Sequence, residues 1–292
     1  MPLLAFALSL ACIYAGPDVS RAMVEGAGVT AVCTDADLAQ RELLGVPGTA
    51  PRPGVASPTR APWINANGWR FTRQPRTKYR YDLPAGKGAL AVAEVFAYGA
   101  DAALKIDRAD LAAVGEMLKF LDALSAMDLP GVADVAVIDD GSPMTGEVMN
   151  LLARRNLLFA VVTAPAPNVA INIRIGSPEY PREAAADPSA LALKIRRQLT
   201  DERRALRIFG SEVVIGRLTA DARRARLHLI NYGGRDIEGL RIRLRGAYQT
   251  AEAHVAGVGS VALQDHVVAP GATEFSLPRL TTYAVVDLQR AR

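Results

Sequence analysis

The chain has 292 residues, room for two domains or one large one at roughly 100–200 residues per domain. Half of the residues are hydrophobic and 22% are charged, a globular rather than a disordered balance, and no apolar run reaches the roughly 18 residues that a membrane-spanning helix needs. The formal charge is +4, but the 29 Arg and five Lys are interleaved with carboxylates, as where Arg203 and Arg204 follow Asp201 and Glu202; nucleic acid calls for a one-signed stripe with stacking aromatics, so it is not an expected partner. Cys12 and Cys33 are too few for a disulfide framework or a Cys-rich metal site. His228, His254 and His266 are too scattered for zinc and read as structural. No metal or other cofactor is expected.

Residues 1–21 open with an apolar stretch followed by Ala15 and Gly16, small residues at which a peptidase could cut, but the first cation, Arg21, comes after it. A secretory signal carries its charge before the apolar run, so two readings stand: a signal, or an internal element of a larger domain. The first places the protein in the periplasm or outside the cell, the second suits a cytoplasmic fragment.

Residues 22–130 are expected to be an α/β segment. Residues 28–33 read as a strand, Thr34 as the N-cap of a helix, and 38–44 keep helical spacing. Five prolines and three glycines within 45–62 mark a loop. Residues 63–81 gather both tryptophans on what reads as a strand, 87–104 are helical, and Asp107 opens a helix to about residue 124. Residues 131–204 continue as α/β: a buried strand at 132–138, a helix from 145 to 155, strands at 157–162 and 169–175, and a helix capped by Asp187 and Pro188 running to Leu199. From residue 205 to 292 the period changes to short strands separated by Gly and Pro. Leu240-Arg241-Ile242-Arg243-Leu244 alternates apolar and charged residues strictly, so one face is buried and the other wet, and six or seven such strands predict an antiparallel β-sandwich.

Three motifs bear on chemistry. Gly26-x-Gly28-x-x-Ala31 has the spelling of a dinucleotide fingerprint, but it leads into a strand instead of following one. Asp139, Asp140 and Ser142 stand where a strand ends and a helix begins, the ligand crevice of open α/β sheets, with Glu147 shortly after. Paired carboxylates there suit acid–base work if their environments separate their pKa values; a helix cap with a turn at Gly141 accounts for the same residues. Trp63, Asn65, Asn67, Trp69, Arg70, Tyr79 and Tyr81 combine flat aromatic faces with amides and a guanidinium, which suits a carbohydrate, and equally suits half-buried packing.

Leu227-His228-Leu229-Ile230-Asn231-Tyr232, the charged alternating strand after it, Leu277-Pro278 and Tyr283-Ala284-Val285-Val286-Asp287-Leu288 together resemble the C-terminal β-sandwich of many glycoside hydrolases. Residues 135–199 are similar in pattern to the flavodoxin-like, amidotransferase-like domain that precedes that sandwich in β-galactosidases of the trimerising kind, and residues 22–124 to the closing portion of a (β/α) barrel. The resemblance implies α/β plus all-β architecture, carbohydrate as ligand and homo-oligomers as the assembly. A complete barrel takes about 250 residues, so no catalytic residue carries over. The expectation is a non-catalytic or incomplete portion of a glycoside-hydrolase-like protein; the alternatives are a hydrolase acting at residues 139–142 and a pure oligomerisation module.

Overall fold

The structure is a computed structural model that describes residues 11–16, 19, 21–50 and 62–291. Most of the apolar opening stretch and most of the Pro-rich loop therefore lie outside the described residues.

The first unit contains β1 (Ala11–Tyr14), α1 (Arg21–Gly26), α2 (Asp35–Ala39), β2 (Glu42–Leu44), β3 (Gly48–Ala50), β4 (Trp63–Asn65), α3 (Gly68–Arg73), β5 (Tyr79–Asp82), α4 (Gly88–Tyr98), β6 (Ala102–Lys105) and α5 (Leu111–Asp122). A parallel sheet runs in the order β1-β6-β5-β2, and Val32 bridges in parallel to Ile13 on the far side of β1. Its last strand thus pairs with its first. One face, with Ile13, Leu44, Tyr79, Tyr81 and Leu104, is buried with residues of α4 and α5; Cys12, Cys33, Leu38 and Ala103 gather in a small separate cluster. Cys12 and Cys33 are joined by a disulfide.

Several local expectations change here. The helical pattern at 87–104 divides into α4 and β6, because Gly99 takes a left-handed φ of 61° and ends the helix, and the apolar run after it is completely buried; apolarity at such length does not separate strand from helix. Likewise α2 stops at Ala39 and 42–44 become a strand. Thr34 does cap α2, in a reciprocal box with Asp37. The strand expected over 28–33 is reduced to the Val32 bridge, and the segment 63–81 divides into β4, which pairs antiparallel with β3, then α3 and the start of β5.

The second unit has β7 (Val135–Ile138), α6 (Pro143–Arg154), β8 (Phe159–Val162), β9 (Ile171–Ile173), α7 (Arg182–Ala185) and α8 (Pro188–Leu199). Its parallel sheet has the order β8-β7-β9. Both long helices start with proline behind a capping side chain: Ser142 accepts from the Thr145 N–H, and Asp187 from the Ala190 N–H.

The third unit holds β10 (Leu206–Phe209), β11 (Val214–Ala220), β12 (Arg224–Asn231), β13 (Ile237–Arg245), β14 (Thr250–Val255), β15 (Gly259–Val261), β16 (Gln264–Ala269), β17 (Ala272–Leu280) and β18 (Tyr283–Gln289). They form two antiparallel sheets, β10-β13-β17-β16 and β11-β12-β18-β14-β15. Leu240, Ile242 and Leu244 point into the core between the sheets with Leu227, Leu229 and Val286, while Arg241 stays exposed, as the alternation predicts. Nine strands stand where six or seven are expected. The outer face of the five-stranded sheet is not wet. Ile215, Ile230, Tyr283 and Val285 join the core of α4 and α5, so the first unit covers this face of the sandwich.

Candidate functional site

The predicted strand-end site lies at a joint. After β7, Asp139 accepts two hydrogen bonds from Arg73 at the end of α3, Nε to Oδ2 at 2.9 Å and Nη2 to Oδ1 at 2.7 Å. Arg73 also donates to the Ser142 carbonyl at 2.9 Å, and the Gly141 N–H donates to Asp139 at 3.0 Å. This forked, charge-assisted pair holds α3 against the start of α6. The approach requires Gly146: a Cβ there would stand 2.5 Å from the Arg73 Nη1 and 3.1 Å from the Trp69 ring. The Arg73 hydrogen bonds outweigh burial and keep the Asp139 carboxyl below the ordinary carboxylate value.

Asp140 is exposed and accepts from the Ser142 N–H at 3.0 Å, with Arg182 3.8 Å away. Burial alone would raise its pKa, but hydrogen bonds from Ser142 and Thr145 prevail and bring it down to about 2. Glu147 is half-buried and accepts from the Asn150 amide at 3.3 Å. Asp139 and Asp140 are therefore both held ionised, and the helix cap expected at Asp140 or Ser142 is Ser142.

The aromatic–amide residues meet the structure in different ways. Tyr79 and Tyr81 are 1% and 0% exposed, which leaves no ring face for a sugar; Tyr79 donates to the Gln74 carbonyl at 3.1 Å. Asn67 is buried and donates to the Gly45 carbonyl at 2.9 Å, and Asn65 donates to the Val46 carbonyl at 2.6 Å. Trp69 is buried in the core of the second unit, with the Arg70 guanidinium 4.5 Å over its ring. Arg70 itself is exposed, 3.8 Å from Glu42. Trp63 is half-buried, and the Arg154 guanidinium covers its ring at 3.8 Å. Packing thus takes most of this cluster, leaving Trp63 and Arg70 at the surface.

A second joint is absent from the sequence-based expectations. Glu94 is 0% exposed within α4 and accepts from the Tyr81 hydroxyl at 2.5 Å, the Asn67 N–H at 2.6 Å and the Tyr232 hydroxyl at 2.7 Å. It thereby ties β5 and the start of α3 to the end of β12 in the sandwich. Burial raises its pKa, against the pull of the tyrosine and Asn67 hydrogen bonds. The one signal available was a lone carboxylate inside the apolar helix GALAVAEVFAY. Nearby, Arg226 donates twice to Asp287, at 2.6 and 2.7 Å, and once to Ser125 just beyond α5 at 3.0 Å. His228 Nδ1 lies 2.6 Å from the Tyr283 hydroxyl. Burial, then Arg217 and Arg226, hold this imidazole well below its ordinary pKa, so it is neutral at pH 7 and structural in its contacts.

Among the described residues no group of three or more His, Cys, Asp or Glu could hold a metal ion, and no helix is long and apolar enough to cross a membrane.

No protein-family model and no curated protein matches the chain. Solved structures do. Alpha-L-fucosidase isoenzyme 2 from Paenibacillus thiaminolyticus matches at 10% identity with a TM-score of 0.54, covering 77% of this chain and 62% of that one. A rhamnosidase from Novosphingobium sp. PP1Y matches at 10% identity and TM-score 0.46, over 77% and 32% of the two chains. A GH42 beta-galactosidase from G. stearothermophilus matches at 10% identity and TM-score 0.41, over 96% and 59%. This chain spans less than two thirds of the length of each. The fold is glycoside-hydrolase-like; at such identity the likeness is one of fold alone.

Proposed function

We propose that this chain is the non-catalytic portion of a glycoside-hydrolase-like protein, holding three structural units in a fixed arrangement and contacting carbohydrate only at its surface. The observation that carries this reading is the commitment of Asp139 to Arg73. Glycoside hydrolysis uses two carboxyl groups roughly 5–10 Å apart, one kept neutral and one ionised. Asp139 and Asp140 are both pulled down, and Glu94, whose pKa is raised, is sealed from solvent by its donors.

In this reading residues 22–130 are the closing part of a (β/α) barrel, supported by a sheet whose last strand returns to its first. Residues 131–204 are flavodoxin-like, supported by a strand order that follows the 2-1-3 opening of that fold. Residues 205–292 are the terminal sandwich. Ala11–Tyr14 is an internal barrel element, supported by the pairing of β1 with β6. The Cys12–Cys33 disulfide favours an oxidising compartment, the periplasm or the exterior.

The test is an assay of the purified chain on aryl fucosides, galactosides and rhamnosides, with a thermal-shift screen of the free sugars. The expected result is no turnover, and any sugar-induced shift removed by Trp63→Ala. Turnover that disappears in folded Asp139→Asn, Asp140→Asn or Glu147→Gln overturns the proposal and establishes a hydrolase at the strand end.

A further inference from the structure

The three units do not close completely on one another. Between α3, the end of α4, β8 and β11 lies a cavity of about 230 Å³. Its walls are mostly apolar, among them Leu158, Val161, Ile215 and the Trp69 ring. The exception is Arg217, which lines it from β11 with its guanidinium 4.7 Å over the Tyr98 ring. Among the described residues the Arg217 side chain has no carboxylate partner and no hydrogen bond, and its Nε is buried without one. Tyr98 and Tyr283 are the groups that favour its charge, and its register partner across the strands is the neutral His228.

Arg217 is half-buried; a guanidinium partly withdrawn from water without a counter-charge is costly, and it stays protonated. The buried arginine of this sheet, Arg226, has Asp287 and Ser125. The polar neighbours in the cavity are already engaged: Thr72 donates to the Gly68 carbonyl, and the Asn156 amide bridges Val214 and Gly216. We propose that this cavity binds a small apolar carboxylate, its carboxyl group paired with Arg217 and its hydrocarbon or aryl body against Trp69, Leu158 and Ile215. A monosaccharide suits it poorly, since most of its hydroxyls would face apolar walls. Pockets for drug-sized ligands run about 300–1,000 Å³, so the occupant is smaller than these. The inference does not depend on the non-catalytic reading.

Benzoate, phenylacetate and hexanoate, with uncharged benzamide as control, are titrated into the full chain while tryptophan fluorescence and Tm are followed. The carboxylates are expected to raise Tm and change the Trp69 emission, with benzamide at least tenfold weaker. Arg217→Met is expected to raise Tm in buffer, because it removes a half-buried charge that has no counter-charge, and to abolish the carboxylate shift. Ala160→Leu narrows the cavity with Arg217 intact and is expected to abolish the shift as well. No response to any of the three carboxylates, an equal response to benzamide, or a shift that survives in Arg217→Met or Ala160→Leu overturns the proposal.

Discussion

Glu94 and Asp139 each tie the first unit to another part of the chain, and their surroundings drive them in opposite directions. Asp139 sits at the edge of the molecule with a forked guanidinium, so its ionised form is favoured and its pKa falls. Glu94 sits among two hydroxyls and a backbone N–H with no cation, so burial dominates and its pKa rises. The first arrangement is a clamp that water can reach. The second is a polar node inside an apolar interface, where each donor depends on the one carboxyl group. Both join segments far apart in the chain, but only the buried node leaves several groups stranded when it is broken.

Breaking the node should therefore have the larger effect. Glu94→Ala leaves the Tyr81 and Tyr232 hydroxyls and the Asn67 N–H without an acceptor, and a loss of about 3–5 kcal/mol is expected in urea unfolding. Glu94→Gln keeps an acceptor and should cost less, while separating the charge from the hydrogen bonds. Because the folded pKa of Glu94 lies above its ordinary value of 4.5, its contribution is complete below that value and is lost as pH rises through the folded pKa. Wild type should lose stability relative to Glu94→Gln over that interval; a flat difference would mean that Glu94 titrates normally.

The Cys12–Cys33 bridge is a covalent counterpart of these joints, within the first unit. It closes a loop of 21 residues' separation, for which the chain-entropy argument gives about 3 kcal/mol. The Cys12→Ser, Cys33→Ser protein should unfold at correspondingly lower urea, with a deficit that does not change between pH 4 and 7. A deficit that followed pH would tie the bridge to the ionisable joints.

Asp139→Asn removes a charge from the forked pair but leaves the amide within hydrogen-bonding reach, and about 1–2 kcal/mol is expected. The sign of its pH dependence is opposite to that of Glu94. A folded pKa below the ordinary 3.8 stabilises above that value, and the benefit disappears as pH falls through the lowered pKa. The difference between wild type and Asp139→Asn should therefore shrink on acidification, where the Glu94→Gln comparison moves in wild type's favour. A double-mutant cycle with Arg73→Met measures the coupling itself; a coupling near zero would reduce the clamp to two independent surface residues.

The same contrast explains what could be read from the chain. The sandwich was legible because its evidence is local: Leu240 to Leu244 declare a buried and a wet face within five residues. The parallel strands of the second unit were legible as short apolar runs, but β6 of the first was not, because it and the end of α4 are equally apolar and only Gly99 separates them. The joints were least legible. Arg73 and Asp139 are 66 residues apart, and Glu94 and Tyr232 are 138 apart, so no spacing rule connects them. The aromatic cluster drew attention because aromatic rings serve cores and ligands alike, and composition does not reveal which side of each ring is covered. Arg217 was one arginine among 29 until its lack of a partner could be seen.

The smallest effect distinguishes the strand end as a cap from the strand end as a reactive site. Ser142 accepts the Thr145 N–H at 3.2 Å in an extended conformation that leads directly into Pro143. Replacing it with Ala should cost about 1 kcal/mol, and replacing it with Asp should restore nearly all of that. Asp140 works on the preceding turn through the Ser142 N–H, so Asp140→Asn, which retains an acceptor oxygen, should cost less than Ser142→Ala. That order follows from hydrogen bonding alone. If Asp140→Asn proved neutral or stabilising while removing a measurable hydrolytic activity, the carboxylate would be held at about 2 for chemistry and not for the turn, and the comparison between joint and site would have to be reversed.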